Sequence, residues 1–342
     1  MNAEDAVNQS VLQNSLEEII EGGFNPALMT TLTRQKLSKI SKLTPPAAVL
    51  FTSKVEDLAP GSARILASRW VRSSEARKID IRHLYPVSDR WSVGEIEEEI
   101  LAPAHLFPIE RHVFIVERAD AMEARCFDRL LKAIEEPPSL TTFVLCATDI
   151  DEIPATIRGR VEHQIELEAA SEEIRVDALT SDVITRAAAQ IAVELAGPAI
   201  SLAVLLASHP ELTSVAERVL KSPSWGYTKT PANDAVAIVN DAALLAASWY
   251  QGKPVNRTPE KLSPVERARM RQLLGLCFDR HKSETSTILT RLATEAGGSL
   301  KIEGKFISTQ AVESRLRAVD EAQRQLRSFT SPKLVIAALL GA

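Results

Sequence analysis

Residues 126–161 read CFDRLLKAIEEPPSLTTFVLCATDIDEIPATIRGRV and pass from a helical pattern through a turn to a strand pattern and a basic turn. Apolar residues from Leu130 to Ile134 recur at helical spacing, and Pro137–Pro138 ends that helix because proline disfavours α geometry in the preceding residue. The run TTFVLCAT predicts a buried strand, and the turn that begins at Pro154 carries Arg160. A helix followed by a buried strand is typical of a parallel α/β sheet.

The rest of the first half repeats this alternation. Strand patterns occur in AAVLFTS, KIDIRHL, HVFIV and VEHQIEL. Helical patterns occur in LQNSLEEIIEGG, SARILASRWV and SVGEIEEEILAPA. Strands separated by helices need crossover connections, so we predict an α/β domain with a parallel sheet and helices on both faces.

The second half lacks this alternation. After Leu167 the patterns are Ala-rich and helical, interrupted at Gly197–Pro198 and Pro210 and by Pro- and Ser-containing segments at 221–233 and 251–264. We therefore predict an α/β domain over residues 1–167, a small all-α domain over 168–210 and a larger all-α domain over 211–342.

Composition restricts the class of protein. The 342 residues are 45% hydrophobic and 25% charged, and the net charge of −5 predicts no general attraction to nucleic acid. The three cysteines lack CxxC spacing, which argues against a zinc site or a disulfide framework. No signal-peptide pattern or apolar run of about 18 residues occurs, so we expect a soluble cytoplasmic protein without a membrane span.

The ordered series LLKAIEEPP, a strand that ends in Thr148, and PATIRGRV resembles the motifs of clamp-loader subunits of the AAA+ family. These subunits occur in the bacterial DNA polymerase III loader and in eukaryotic replication factor C. The resemblance covers roughly residues 45–167 and continues weakly to SFTSPKLVIAALL, which resembles the final collar helix. A charged helix end before a turn would explain EEPP alone, but it does not explain the whole series. The resemblance implies an AAA+ domain followed by a helical lid and a helical collar.

The resemblance places a phosphate loop between AVLFT and ARILA. Such a loop needs glycines that let backbone N–H groups surround phosphates, a lysine and a Mg²⁺-binding hydroxyl. The three glycine positions fall on Ser53, Glu56 and Leu58, the lysine position on Ala59 and the hydroxyl position on Pro60. Glu56 and the adjacent Asp57 would repel a triphosphate. We therefore expect no ATP binding, no cofactor and no bound metal.

The strand HVFIV leads to the positions that hold Mg²⁺ and orient water in active relatives. Here those positions are Glu117 and Arg118, and arginine cannot act as a base at neutral pH. We expect Arg118 to pack or to pair with Glu117 or Asp120, and Thr148, at the sensor position, to be a strand-end residue. The lid segment AGPAISLAV also lacks the expected sensor arginine.

The element IRGRV is retained, and in the family its arginine reaches into the ATP site of a neighbouring subunit. That residue corresponds to Arg160, although Gly159 replaces the usual serine and Val161 the usual cysteine. The alternative is that Arg158 and Arg160 pair with nearby acids. The acids considered are Asp149, Asp151 and Glu162.

Together these features resemble the delta-prime type of clamp-loader subunit, which lacks ATPase activity and acts as a stator. The implied partners are gamma/tau and delta subunits and, through the assembly, the β sliding clamp and primed DNA. One alternative is a catalytically inert AAA+-like scaffold outside the clamp loader; a gamma/tau-type ATPase would need the phosphate loop that is missing. A third alternative, a nucleic-acid-binding module, depends on a basic cluster. The cluster comprises Arg64, Arg69, Arg72, Arg77, Lys78 and Arg82.

Overall fold

The computed structural model describes residues 28–55, 57–87, 90–221, 232–259, 261–294, 299–302, 305–327, 335–336 and 338–339. The chain divides into two compact units, the first ending at Ser208 and the second beginning at His209. The helix predicted at LQNSLEEIIEGG lies outside the described residues, as do Glu56 and most of the segments at 221–233 and SFTSPKLVIAALL.

Five parallel strands form the sheet of the first unit in the order β2-β3-β4-β1-β5. They are β1 Ala48–Thr52, β2 Ile81–Leu84, β3 His112–Val116, β4 Thr141–Ala147 and β5 His163–Glu166. Leu50 of β1 lies opposite Leu145 of β4 on one side and Gln164 of β5 on the other. Strands β1, β3 and β4 are buried along their whole length, as expected for the centre of a sheet that is covered on both faces. The predicted parallel α/β sheet is confirmed.

Helices lie before the first strand and between successive strands of this sheet. They are α1 Thr31–Ser41, α2 Leu58–Trp70, α3 Ser74–Asp80, α4 in three parts (Val93–Glu95, π-helical Ile96–Leu101 and Ala102–Ala104), α5 Ala124–Glu135 and α6 Ala155–Arg158. Leu130 and Ile134 of α5 share one core with Phe114 and Phe143, whose rings stack at 5.7 Å between centroids. The predicted packing of the LLKAIEE helix is confirmed.

One strand boundary differs from the prediction. KIDIRHL alternates like a strand, but its first three residues complete α3, and β2 begins at Ile81. The Ser73 hydroxyl caps this helix by accepting a hydrogen bond from the Ala76 N–H. Asp80 is the last residue of this helix, and its fully buried carboxylate accepts hydrogen bonds from the backbone N–H groups of Ile109, Glu110 and Arg111.

Three helices complete the first unit: α7 Glu172–Leu179, α8 Arg186–Ala196 and α9 Ile200–Ser208. Helix α8 ends at Gly197, whose φ of 57° with ψ of −126° suits glycine because it lacks a Cβ. This residue lets the chain reverse, so α9 packs against α8.

The second unit contains α10 Thr213–Leu220, α11 Ala232–Gln251, α12 Pro264–Thr294 and α13 Thr309–Arg327. It also contains an antiparallel hairpin of β6 Ser299–Ile302 and β7 Lys305–Ser308, so the prediction of an entirely helical second half is wrong in this segment. SLKI alternates polar and apolar residues, KFIS carries two adjacent apolar residues, and the two segments are separated by two residues, a spacing typical of hairpins. None of the helices in the described part of the chain is long and apolar enough to cross a membrane.

Candidate functional site

The segment between β1 and α2 is bonded to its own chain through three backbone N–H groups. Ser53 donates its N–H to the carbonyl oxygen of Ala147 in β4 at 3.1 Å. The Val55 N–H donates to the Ser53 hydroxyl at 3.1 Å, and the Leu58 N–H donates to the Val55 carbonyl at 3.1 Å. In a phosphate loop such N–H groups point at the anion. Here each of the three already has an acceptor within the protein.

The side chains at the predicted phosphate-loop positions are buried and apolar where the chemistry needs polar groups. Leu58, Ala59 and Pro60 form the first turn of α2 and are all buried. Ala59 supplies a methyl group where a lysine would reach a phosphate, and Pro60 has neither a hydroxyl nor an N–H. Ser53 is also buried, and Glu56 lies outside the described residues.

Asp57, which immediately precedes α2, has a role that sequence reasoning missed. Its side chain is only 2% exposed, and its Oδ2 accepts hydrogen bonds from the backbone N–H (2.7 Å) and the hydroxyl (2.6 Å) of Ser201. Ser201 is the second residue of α9, 144 residues along the chain. From its sequence position alone, Asp57 is expected only to repel phosphate. No local sequence signal indicated a partner so distant.

Arg175 of α7 is a buried cation that is electrostatically coupled to this carboxylate. Its side chain donates from Nη1 to the carbonyl oxygen of Gly197, between α8 and α9. Burial lowers the pKa of Arg175, and the nearby carboxylates of Glu172 and Asp57 act in the opposite direction. Asp57 therefore lies near both the N-terminus of α9 and a buried positive charge.

At the carboxyl edge of β3, a glutamate contacts a histidine on the neighbouring strand. Glu117, at the predicted Mg²⁺ position, has a side chain that is 8% exposed and contacts His83 Nε2 through its Oε1. Its backbone carbonyl accepts a hydrogen bond from the Trp91 indole N–H at 2.9 Å. In the parallel register, the next residue of β2, Leu84, lies opposite Val116, which brings His83 close to Glu117. Across the described ranges, no group of three or more His, Cys, Asp or Glu side chains is arranged to hold a metal ion.

The other residues at this edge are also bonded within the protein. Asp120 Oδ2 accepts hydrogen bonds from both the backbone N–H and the hydroxyl of Thr148, the predicted sensor position. Arg118 has a left-handed backbone with φ of 51°, which turns the chain out of the strand. Thr148 therefore binds Asp120 at the end of its strand.

Burial raises the pKa of the Cys146 thiol in β4, and the Glu117 carboxylate raises it further.

Arg160 follows α6, and its side chain is half exposed. Its Nε donates to Glu135 Oε1 at 2.9 Å, and this carboxylate belongs to the EEPP end of α5. The partner is therefore not one of the three acids that we considered from the sequence. Two of those three accept other hydrogen bonds. Glu162 accepts from the Ala47 N–H, and Asp149 accepts from the Asp151 N–H.

Comparison with known proteins agrees with the motif order. Residues 46–170 match a family described as DNA polymerase III, delta subunit. The chain is also similar to DNA polymerase III subunit gamma of Buchnera aphidicola subsp. Schizaphis graminum (strain Sg), with 36% identity over 88 residues. The same subunit from Buchnera aphidicola subsp. Acyrthosiphon pisum (strain APS) is 37% identical over 89 residues. Each alignment covers 25% of this chain, which spans only about a quarter (24%) of the length of either relative.

A solved structure has a similar fold. It is the crystal structure of a DNA polymerase III gamma subunit-related protein from Thermotoga maritima, with a TM-score of 0.53 and 14% identity. The superposition covers 90% of this chain and 97% of that chain, and at this identity it concerns the fold alone. The parallel sheet, the ordered motifs and the match over residues 46–170 therefore make this part of the chain similar to DNA polymerase III subunits.

Proposed function

We propose that this chain is a delta-prime-type subunit of a DNA polymerase III clamp loader that neither binds nor hydrolyses ATP. It would assemble with gamma/tau and delta subunits and present Arg160 to the ATP site of a neighbouring subunit. The assembly would place the β sliding clamp on primed DNA in the cytoplasm. The arrangement of residues 1–167 as AAA+ domain, 168–210 as lid and 211–342 as collar is part of this proposal.

The segment from Ser53 to Pro60 supports the absence of ATP binding. Three of its backbone N–H groups already donate to the protein, and the lysine position carries a buried alanine. The Asp57 carboxylate is buried beside them, so an incoming triphosphate would meet a negative charge instead of a cationic cradle. ATP binding would require breaking these hydrogen bonds. It would also require removing water from the phosphates next to the negatively charged Asp57 carboxylate.

The edge of β3 supports the absence of hydrolysis. A Mg²⁺-binding carboxylate must be open to the ion, whereas Glu117 is buried and contacts His83. The position that would orient water is Arg118, whose guanidinium stays protonated. These features lie on different strands and loops from the phosphate loop, so they support the proposal independently.

The observation that carries the proposal is the combination of a bonded phosphate loop with a half-exposed Arg160 on the IRGRV turn. An arginine that acts in trans must be reachable from outside its own subunit, and the Arg160 side chain is 50% exposed. Its ion pair with Glu135 is between two partly exposed groups. Such pairs contribute only about 0–1 kcal/mol, so a phosphate from another subunit could displace Glu135.

The experiment has two arms. Titration calorimetry of the purified chain with Mg-ATP should give no binding heat; micromolar affinity would overturn the proposed absence of nucleotide binding. Mixing the chain with gamma/tau and delta should give a complex in size-exclusion chromatography, and this complex should load β clamps onto primed DNA. Omitting the chain should abolish loading.

A second candidate function is a catalytically inert AAA+-like scaffold outside the clamp loader. The ion pair of Arg160 with Glu135 favours it, since an arginine that is used within its own chain needs no neighbouring ATP site. This candidate predicts that the chain stays separate from gamma/tau and delta in chromatography at micromolar concentrations of each protein. Chromatography of the chain with gamma/tau and delta therefore distinguishes the two functions.

A further inference from the structure

The contact between Asp57 and Ser201 joins two parts of the first unit that lie 144 residues apart in the sequence. Asp57 lies between β1 and α2, and Ser201 lies in the first turn of α9. Both side chains are buried, at 2% and 8% exposure. The contact is therefore shielded from water. Water would weaken the same contact between exposed side chains.

The chemistry of the contact is that of anion binding at a helix N-terminus. Helix α9 has nine residues, and the N–H groups of its first turn lack acceptors within the helix. The Asp57 Oδ2 takes the N–H and the hydroxyl of Ser201, so the charge lies at the positive end of the helix dipole. The nearby Arg175, which bonds to the Gly197 carbonyl just before α9, adds a positive charge on the same side.

We propose that the Asp57 carboxylate, by binding Ser201, holds the N-terminus of α9 against the segment between β1 and α2 and thereby fixes the first unit in one arrangement without nucleotide. The carboxylate that excludes a triphosphate from this loop also occupies the helix end that an external anion could have bound. This contact lies within the isolated chain, so its role goes beyond the proposed function and holds whether or not the chain joins a clamp loader.

The side-chain requirement is specific. Asp57→Asn keeps the size and one acceptor oxygen but removes the charge, so part of the contact should remain. Asp57→Ala leaves the Ser201 N–H and hydroxyl buried without their acceptor, which is costly. Ser201→Ala removes only the hydroxyl and keeps the backbone N–H as a donor to Asp57. The three variants therefore form a graded series.

Hydrogen exchange of the full chain, measured by mass spectrometry, tests the proposal locally. In Asp57→Ala we expect amides in α9 to exchange about tenfold faster or more, and in Ser201→Ala about threefold faster. Exchange in β3 and β4 should stay unchanged, because these strands lie in the buried core. Asp177→Ala is the matched control: it removes an aspartate from α7 whose bond to Arg186 is exposed, and α9 should exchange as in the wild type.

A distance measurement tests the arrangement itself. Spin labels on cysteines introduced at the exposed Asp128 of α5 and Gln190 of α8 should give one narrow distance distribution, identical with and without Mg-ATP. The distribution should broaden in Asp57→Ala and stay intermediate in Asp57→Asn. The proposal is overturned if α9 exchange and the distance distribution are unchanged in Asp57→Ala, or if Mg-ATP narrows the wild-type distribution. If Asp57→Ala does not fold, unchanged exchange in Ser201→Ala and Asp57→Asn would overturn it.

Discussion

Arg160 donates a hydrogen bond to Glu135 across 25 residues of sequence, from the IRGRV turn to the EEPP end of α5. The two motifs that most resemble the clamp-loader family are therefore in direct contact within one chain. Both side chains are about half exposed, so the pair is accessible to solvent and to a partner. In the proposed complex, Glu135 would hold Arg160 until a more negative group approaches.

Arg160→Ala should lower the DNA-stimulated ATPase rate of the reconstituted loader by at least about twofold, since an arginine finger stabilises the charge that develops on the transferred phosphoryl group. Arg160→Lys should not restore the rate, because an ammonium lacks the planar fork of a guanidinium. The measurement is steady-state phosphate release with primed DNA and β clamp present. Unchanged ATPase and clamp loading in Arg160→Ala would refute the assignment of Arg160 as a trans arginine finger.

Glu135→Gln separates the two roles of Arg160. This variant removes the charge that attracts the guanidinium and keeps an acceptor oxygen. If Arg160 acts in trans, the weaker pair should leave the ATPase rate of the complex equal to or higher than that of the wild type. The free energy of unfolding of the isolated chain should change by less than about 1 kcal/mol, because the pair is exposed. A fall in ATPase as large as that of Arg160→Ala would mean that the intact pair is needed.

Asp80→Ala should destabilise the first unit by roughly 2–4 kcal/mol in urea unfolding. The Asp80 carboxylate is completely buried and accepts three backbone N–H groups, from Ile109 (3.0 Å), Glu110 (2.7 Å) and Arg111 (3.1 Å). Removing it leaves these donors without their acceptor in the segment that leads into β3. The control is Asp177→Ala, which should cost less than about 1 kcal/mol since its ion pair is exposed. Equal losses in the two variants would contradict this explanation.

Stability should fall at acidic pH because of His281 in α12. Burial, together with the adjacent Arg315, lowers the pKa of His281 to about 4, from 6.5 for an ordinary histidine. The unfolded chain therefore binds a proton at higher pH than the folded chain. The resulting loss of stability begins as pH falls through about 6.5 and is complete below about 4, and it amounts to at most about 3 kcal/mol.

Urea unfolding at several pH values measures this effect. In the wild type Arg315 Nε donates to His281 Nε2 at 3.2 Å, and the oxygen of a glutamine at position 281 offers an acceptor that does not titrate. His281→Gln should therefore show a smaller loss of stability between pH 7 and pH 4. The same pH dependence in both proteins would exclude His281 as its source.

The three thiols should be unreactive in the folded protein. Cys126, Cys146 and Cys277 are all buried, and burial raises the pKa of Cys277 to about 12. A thiol-specific chromophoric reagent at pH 8 should label none of them within minutes and all of them in denaturant, because the thiolate is the reactive form. Rapid labelling of one thiol in the native chain would show that its surroundings open.

Much of the first unit could be predicted from the sequence, because buried strands such as AVLFT and TTFVLCA consist mainly of consecutive apolar residues. KIDIRHL alternates locally and therefore predicts a strand that starts too early. In the structure, the helix capped by Ser73 continues to Asp80, and β2 begins only at Ile81. The hairpin of β6 and β7 was missed because each of its strands has only four residues between long helical segments.

The sequence by itself determined the parallel sheet, the absence of glycine from residues 53–60 and the position of Arg160, since these depend on residue types and short spacings. Only the tertiary structure decided the partners of the charged residues: Glu117 with His83, Arg160 with Glu135, and Asp57 with Ser201. The physical reason is that a buried or half-buried charge takes whatever donor or acceptor the fold brings within about 3 Å, and that partner can lie anywhere along the chain.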